Sequence, residues 1–176
     1  QLRKILAYSS IAHLGWMILI LQFSPALTLL ALSMYLLMTS AAFLTLKANN
    51  ATKVNTLSTS WAKAPVLTAI LPMVLLSLGG LPPLTGFMPK WLILQELTKQ
   101  GMPLTATLAA MTALLSLYFY LRLCYAMTLT ISPNTLANTT PWRFFPKQLL
   151  LPLSTATAAS TLLLPLAPAI TALLCL

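Results

Sequence analysis

Residues 65–99 read PVLTAILPMVLLSLGGLPPLTGFMPKWLILQELTK, an apolar run broken at its centre by Gly79, Gly80, Pro82, Pro83, Gly86 and Pro89. An unbroken helix of this length would be a rod of roughly 50 Å, against a hydrocarbon core of about 30 Å. Two complete spans with a turn between them need more residues than the run supplies. One discontinuous span fits: a half-helix Pro65–Leu78, a break, and a second half-helix from Pro89 to Lys99. The glycines permit backbone conformations closed to other residues, and the prolines remove donors and stop the helix from re-forming. Pro89 suits the opening position of the second half, where a missing N–H does no harm.

Composition supports a membrane setting for the break. Of 176 residues, 59% are hydrophobic and only 6% charged, with a mean hydropathy of +0.88. Soluble domains carry about a quarter of their residues as charges. Glu96 is the only acid in the chain. These features define an integral membrane protein. The net charge of +9 does not point to nucleic acid, because the basic residues punctuate apolar runs and form no stripe with interleaved aromatics. Cys124 and Cys175 lie in apolar stretches, as reduced thiols in packing positions do. The chain opens at Gln1 with a basic, amphipathic segment and no signal-peptide pattern, as expected of the C-terminal part of a longer polypeptide.

The expected fold class is all-α, a polytopic membrane bundle of about five transmembrane helices in one membrane domain, residues 1–176. Helices are predicted at 2–21, 27–46, 65–99 (broken), 103–130 and 149–172. Phe23-Ser24-Pro25 turns the chain between the first two, since proline disfavours helix in the residue before it. Residues 47–63, KANNATKVNTLSTSWAK, and 132–148, SPNTLANTTPWRFFPKQ, are polar and read as loops. With five spans, Arg3, Lys4, Lys47, Lys53, Lys63, Arg143 and Lys147 all fall on one side, and only Lys99 flanks a helix on the other. Short inner loops are enriched in lysine and arginine, so the basic side is the inner, cytoplasm- or matrix-like face.

Broken spans survive only where protein or water satisfies the freed backbone groups, and such breaks point to ion or substrate sites in transporters. Lys90 stands beside this one. A mid-membrane lysine costs at least about 2.5–3.5 kcal/mol to insert and normally faces protein or water. Desolvation, and the positive end of a helix dipole, both oppose the charged form of such a group; a lysine so placed can load and release a proton. Snorkelling to the interface is the alternative, but Lys99 already marks the boundary. His13, in AYSSIAHLGW, has the chemistry of a proton relay; an ordinary interhelical hydrogen-bonder has the same pattern. Tyr8, Ser9 and Ser10 supply hydroxyls or merely small-residue packing. Glu96 lies three residues before Lys99, so a local ion pair is its default role. Arg122, in LYFYLRLCYAM, either anchors at headgroups with Tyr118, Tyr120 and Tyr125 or pairs with a carboxylate from another subunit. No Walker loop, dinucleotide fingerprint, metal-ligand spacing or Ser/His/Asp set is present in the sequence.

Three stretches, RKILAYSSIAHLGWM, LLSLGGLPPLTGFMPKWLILQEL and LLSLYFYLRLCYAMTLTISPN, resemble the antiporter-like, proton-translocating membrane subunits of mitochondrial NADH:ubiquinone oxidoreductase, respiratory complex I. The resemblance covers essentially the whole chain. It implies a fold of two inverted five-helix repeats, each with a discontinuous helix bearing an ionisable residue. Lys90 matches the lysine of the second broken helix, and His13 a histidine on the hydrated central axis. The first broken helix, with its own lysine and glutamate, would lie upstream. The implied role is relay of protons along that axis through Lys90 and His13; Glu96, Arg122, Tyr8 and Ser9 are candidate supporting residues on the reading of the residues alone. It also implies no cofactor on this chain and no redox catalysis by it; NADH, FMN, iron–sulfur clusters and ubiquinone serve the whole complex. Implied partners are other membrane subunits of complex I, the lipid bilayer, and internal waters and protons, with no nucleic acid. The implied location is the mitochondrial inner membrane, basic loops toward the matrix. A stand-alone cation/proton antiporter subunit and a scaffolding subunit are the alternative readings.

Overall fold

A lipid interior offers the backbone no water, so a spanning chain must satisfy its own amides as helix or closed barrel. This chain does so as helix. The structure, a computed structural model, describes residues 1–62, 65–129, 150–166, 169–170 and 172, and among these there is no strand. Lys63, Arg143, Lys147, Cys175 and the expected loop 132–148 lie outside the described residues.

The first helix, α1, runs Leu2–Leu21, and α2 runs Pro25–Ala48 with Pro25 at its opening turn. Both are long and apolar enough to cross a membrane, as is α6, Pro103–Leu129. Between α2 and α6 the expected discontinuous span is present as two short helices, α4 (Pro65–Gly79) and α5 (Phe87–Lys99). The second half begins two residues earlier than Pro89. Pro89 is therefore the third residue of α5, still within the first turn, where no intrahelical partner awaits its nitrogen. The segment 47–63 is not a plain loop. It holds a short helix, α3 (Val54–Ser58), and a 3-10 turn, Thr59–Ala62, pinned where the Trp61 indole N–H donates to the Met127 carbonyl at 3.0 Å. The last expected helix is interrupted: α7 spans Leu150–Leu162, a 3-10 turn follows at Leu164–Leu166, and Ala169, Ile170 and Ala172 are again helical. Pro165 accounts for the stop, since it lacks a donor and disfavours helix at Leu164.

α2 lies at the centre, packed against α1, α4, α5 and α7, while α6 covers α4 and α5. Leu30, Met34, Met38, Ala41 and Ala42 of α2 meet Leu71, Val74, Leu75 and Leu78 of α4 in the main apolar core. A second cluster, Ile20, Ala31, Ile93, Leu97 and Ala106, fills the end beyond the break. Hydroxyls tolerate this setting by donating to carbonyls three or four residues back: Ser77 to Val74 at 2.7 Å and Thr45 to Ala41 at 2.9 Å.

The break is held by tight backbone approach. A Cβ on Gly86 would sit 1.7 Å from the Ser77 carbonyl oxygen, which belongs to the α4 backbone and cannot swing aside. The Thr85 hydroxyl donates to the Ser160 carbonyl of α7, tying the same turn to the last helix. We predict that Gly86→Ala destabilises the protein by about 1–3 kcal/mol, as overpacking does, read as a lowered unfolding midpoint in detergent. Gly15→Ala, with nothing within 4 Å of its added methyl, is the matched control and should be neutral or stabilise by up to about 1 kcal/mol. Equal responses to the two substitutions would refute the close approach.

Candidate functional site at the helix break

α4 ends as helices commonly do. Gly80 adopts φ +85, its N–H donates to the Ser77 carbonyl at 3.0 Å, and the Leu81 N–H donates to Leu76 at 3.4 Å. This is the Schellman pattern, with glycine at the left-handed position. It leaves the Gly79 carbonyl at the negative end of the α4 dipole and free to accept from outside.

Lys90 supplies that donor. Its Nζ donates to the Gly79 carbonyl at 2.8 Å, and the residue is only 9% exposed. A lysine in the first turns of α5 thus reaches back across the break to the end of α4. A hydrogen bond to a charged group contributes about 1.5–3 kcal/mol, similar to the cost of a mid-membrane lysine. The one bond offsets much of that cost; the rest falls to polar surroundings. Gly80 makes room for this path, since a Cβ there would lie 3.0 Å from Nζ and 3.1 Å from Cδ.

His13 faces the same place from α1. Its Nδ1 lies 2.8 Å from the Ser9 carbonyl. A carbonyl only accepts, so Nδ1 carries the hydrogen, and in the neutral ring Nε2 is left as an acceptor. Nε2 is buried with no hydrogen-bond partner among the described residues. The ring stacks at a tilt on Tyr35, centroids 5.0 Å apart.

The two residues share two cavities. The larger, about 280 Å³, lies between α1 and α6 over the break, with Ser9, His13, Lys90, Ser116 and Tyr120 among its lining residues. The smaller, about 20 Å³, continues past Pro89 and Ile93 toward the Lys99 end. A cavity holds a water once it exceeds about 10–15 Å³ and offers polar partners. The smaller therefore has room for one and the larger for several.

The other singled-out residues divide. Ser9 is buried and its hydroxyl donates to Leu6 at 2.7 Å. Tyr8 stands at the mouth of the larger cavity, 74% exposed. Ser10 turns away and donates to the Ala7 carbonyl. Glu96 lines neither cavity; it is 3.8 Å from Lys99 and accepts from the Gln100 side-chain amide at 3.2 Å. Arg122, Tyr118 and Tyr125 are exposed. Tyr120 departs from its expected place with them at the headgroups: it is 4% exposed and lines the larger cavity together with Ser9. The helical spacing Tyr120, Leu123, Cys124, Met127, all buried, is the signal that would have separated it from the other two tyrosines. Ser116, one turn earlier, and Tyr35, from α2, also join the site without having been singled out in the sequence.

Such a molecule, a polytopic helical bundle with a discontinuous span and an ionisable residue at the break, has the architecture of membrane transporters. The chain belongs to the NADH:quinone oxidoreductase/Mrp antiporter transmembrane family, which matches residues 1–116. Residues 117–171 match the NADH dehydrogenase subunit 2 C-terminus. The chain is 72% identical over 176 residues to NADH-ubiquinone oxidoreductase chain 2 of Oncorhynchus mykiss, and equally to that of Salmo salar, covering 100% of this chain and 50% of each relative. Against chain 2 of Gadus morhua it is 68% identical over 176 residues, covering 100% of this chain and 51% of the relative. It spans about half the length of these relatives.

Gly80→Ala is predicted to cost about 1–2 kcal/mol for the left-handed backbone and to push Nζ off the Gly79 carbonyl. A high-resolution structure of the variant checks this; an unmoved Lys90 would show that Gly80 does not position it.

Proposed function

We propose that the chain is part of a proton-translocating membrane-arm subunit of NADH:ubiquinone oxidoreductase and passes protons between Lys90 and His13. The observation carrying this reading is that both residues line the same two cavities at the helix break. Lys90, when charged, donates to Gly79; on losing a proton to an adjacent water, Nζ becomes an acceptor. His13 keeps Nδ1–H on Ser9 and takes the proton at Nε2. Like charges lining one cavity repel, which disfavours charging both, so arrival of a proton at one promotes release from the other. Ser9, Tyr120 and Ser116 extend the polar lining of the larger cavity toward the basic end of α1. The smaller cavity extends toward the Lys99 end of α5.

The redox chemistry, with NADH, FMN, iron–sulfur clusters and ubiquinone, takes place elsewhere in the assembly, and other membrane subunits are this chain's partners. The setting is the mitochondrial inner membrane, basic loops toward the matrix. Similarity along the whole of this chain to half the length of proteins named NADH-ubiquinone oxidoreductase chain 2 favours this reading over a stand-alone antiporter. The missing half of the subunit would supply the first broken helix of the inverted repeat.

Lys90→Met, similar in volume and without charge, is predicted to lower protons moved per electron, or to stop coupled turnover, while the complex still assembles on a native gel. Tyr120→Phe should retain assembly and reduce turnover less than Lys90→Met does. Normal pumping by an assembled Lys90→Met complex would eliminate the relay and favour a scaffolding role.

A further inference from the structure

The helix that carries Lys90 begins without a side-chain cap. The N-cap of α5 is Gly86, which has no side chain to offer the first-turn amides. Thr85, the residue before it, turns its hydroxyl elsewhere and donates to the Ser160 carbonyl of α7, 75 residues further along the chain. Ser160 lies in the last turn of α7, which ends at Leu162, where carbonyls lack partners within their own helix. The two residues are 2% and 1% exposed, so the contact is made wholly inside this chain.

The break is therefore bracketed by two bonds of the same kind. In each, a side chain of the returning segment takes an orphan carbonyl at a helix C-terminus: Lys90 takes Gly79 of α4, and Thr85 takes Ser160 of α7. Between them Gly86 passes too close to the Ser77 carbonyl of α4 for any Cβ. The Phe87 and Met88 N–H groups donate to the Leu84 and Thr85 carbonyls at 3.1 and 3.3 Å. The run from Leu84 to Met88 is thus tightly turned, and Thr85 fixes it to α7.

Where α5 starts decides where Lys90 stands. A slip of one residue moves a helical side chain about 1.5 Å along the axis and turns it by about 100°, which carries Nζ away from Gly79. Apolar surroundings do little to resist such a slip, because lipid and protein interior are equally apolar. A hydrogen bond to a buried carbonyl does resist it, since breaking it leaves both partners unsatisfied.

We propose that Thr85 is a positioning residue for Lys90: anchored on the Ser160 carbonyl of α7, it sets the start of α5 and so holds the ammonium on Gly79. Its effect on proton transfer rests on the relay proposed above. Thr85 and Lys90 lie in the segment that matches the antiporter family, and Ser160 in the segment that matches the subunit 2 C-terminus. The bond joins the two.

The test uses the native complex with the full-length subunit. Thr85→Val keeps the shape of the side chain and removes the donor. Density for the assembled variant should show Nζ beyond hydrogen-bond distance of the Gly79 carbonyl. Coupled turnover should fall roughly 5-fold, the population shift that follows the loss of one hydrogen bond. Thr85→Ser keeps the hydroxyl and should restore both. Thr45→Val makes the same deletion at a buried threonine whose bonds stay within α2, and should leave Lys90 in place and turnover unchanged. An unmoved Lys90 in Thr85→Val, or equal displacement in Thr85→Ser, would overturn the positioning role and leave the relay standing. Normal pumping by Lys90→Met would remove the relay and leave the displacement of Lys90 in Thr85→Val as evidence for positioning. If Thr85→Val does not assemble, Thr85→Cys, a weaker donor, takes its place and is read in the same way.

Discussion

The hydrogen bond from the Lys90 ammonium to the Gly79 carbonyl, 2.8 Å long across a broken helix, resolves two liabilities at once. Ending a helix inside lipid strands carbonyls, and placing a lysine there strands a charge; either alone costs several kcal/mol or nearly so. Joined, the stranded carbonyl becomes the partner of the stranded charge. The break and the lysine are thus a single feature, and each is tolerated because of the other.

The surrounding packing serves this join. Gly80 takes the left-handed turn that ends α4 and leaves space for the lysine stem, while Gly86 lets the returning loop touch the α4 backbone. Thr85 fastens the loop to α7, and α2 supports both half-helices from behind. α1 and α6 stand on either side of the break, and the space between them is the larger cavity. The carbonyl under His13 orients the ring so that its bare nitrogen is buried. A lysine held by one half-helix and a histidine held by its own helix are therefore presented to the same space by rigid elements, the condition for a site with defined proton donors and acceptors.

The discontinuous span was legible because it rests on length and composition. The run from Pro65 to Lys99 is too long for one rod and too short for two spans, and helix-stopping residues cluster at Gly79–Pro89, with Pro72 alone inside the first half. The apolar segments of α1, α2 and α6 are visible for the same reason. The turn structure at Val54–Ala62 and the early end of α7 were harder to read. Short helical turns in polar segments depend on anchors such as the Trp61 bond to Met127, and these come from distant parts of the chain. Tyr120 was grouped with Tyr118 and Tyr125 because neighbouring aromatics near an arginine look alike until the direction each one faces is known.

The amino-acid sequence by itself determined that this chain crosses a membrane, where its helix breaks, and that a lysine stands at the break. Charge, glycine, proline and apolar length act locally and sum along the chain. Only the tertiary structure decided that Lys90 bonds Gly79, that His13 and Lys90 share cavities, and that Tyr120 rather than Tyr118 or Tyr125 faces the larger one. Those outcomes depend on how each helix is rotated about its axis. Helices apolar on every side carry little stripe to encode that rotation, because lipid and protein interior are equally apolar neighbours. Close packing at glycines and a few polar contacts set it instead.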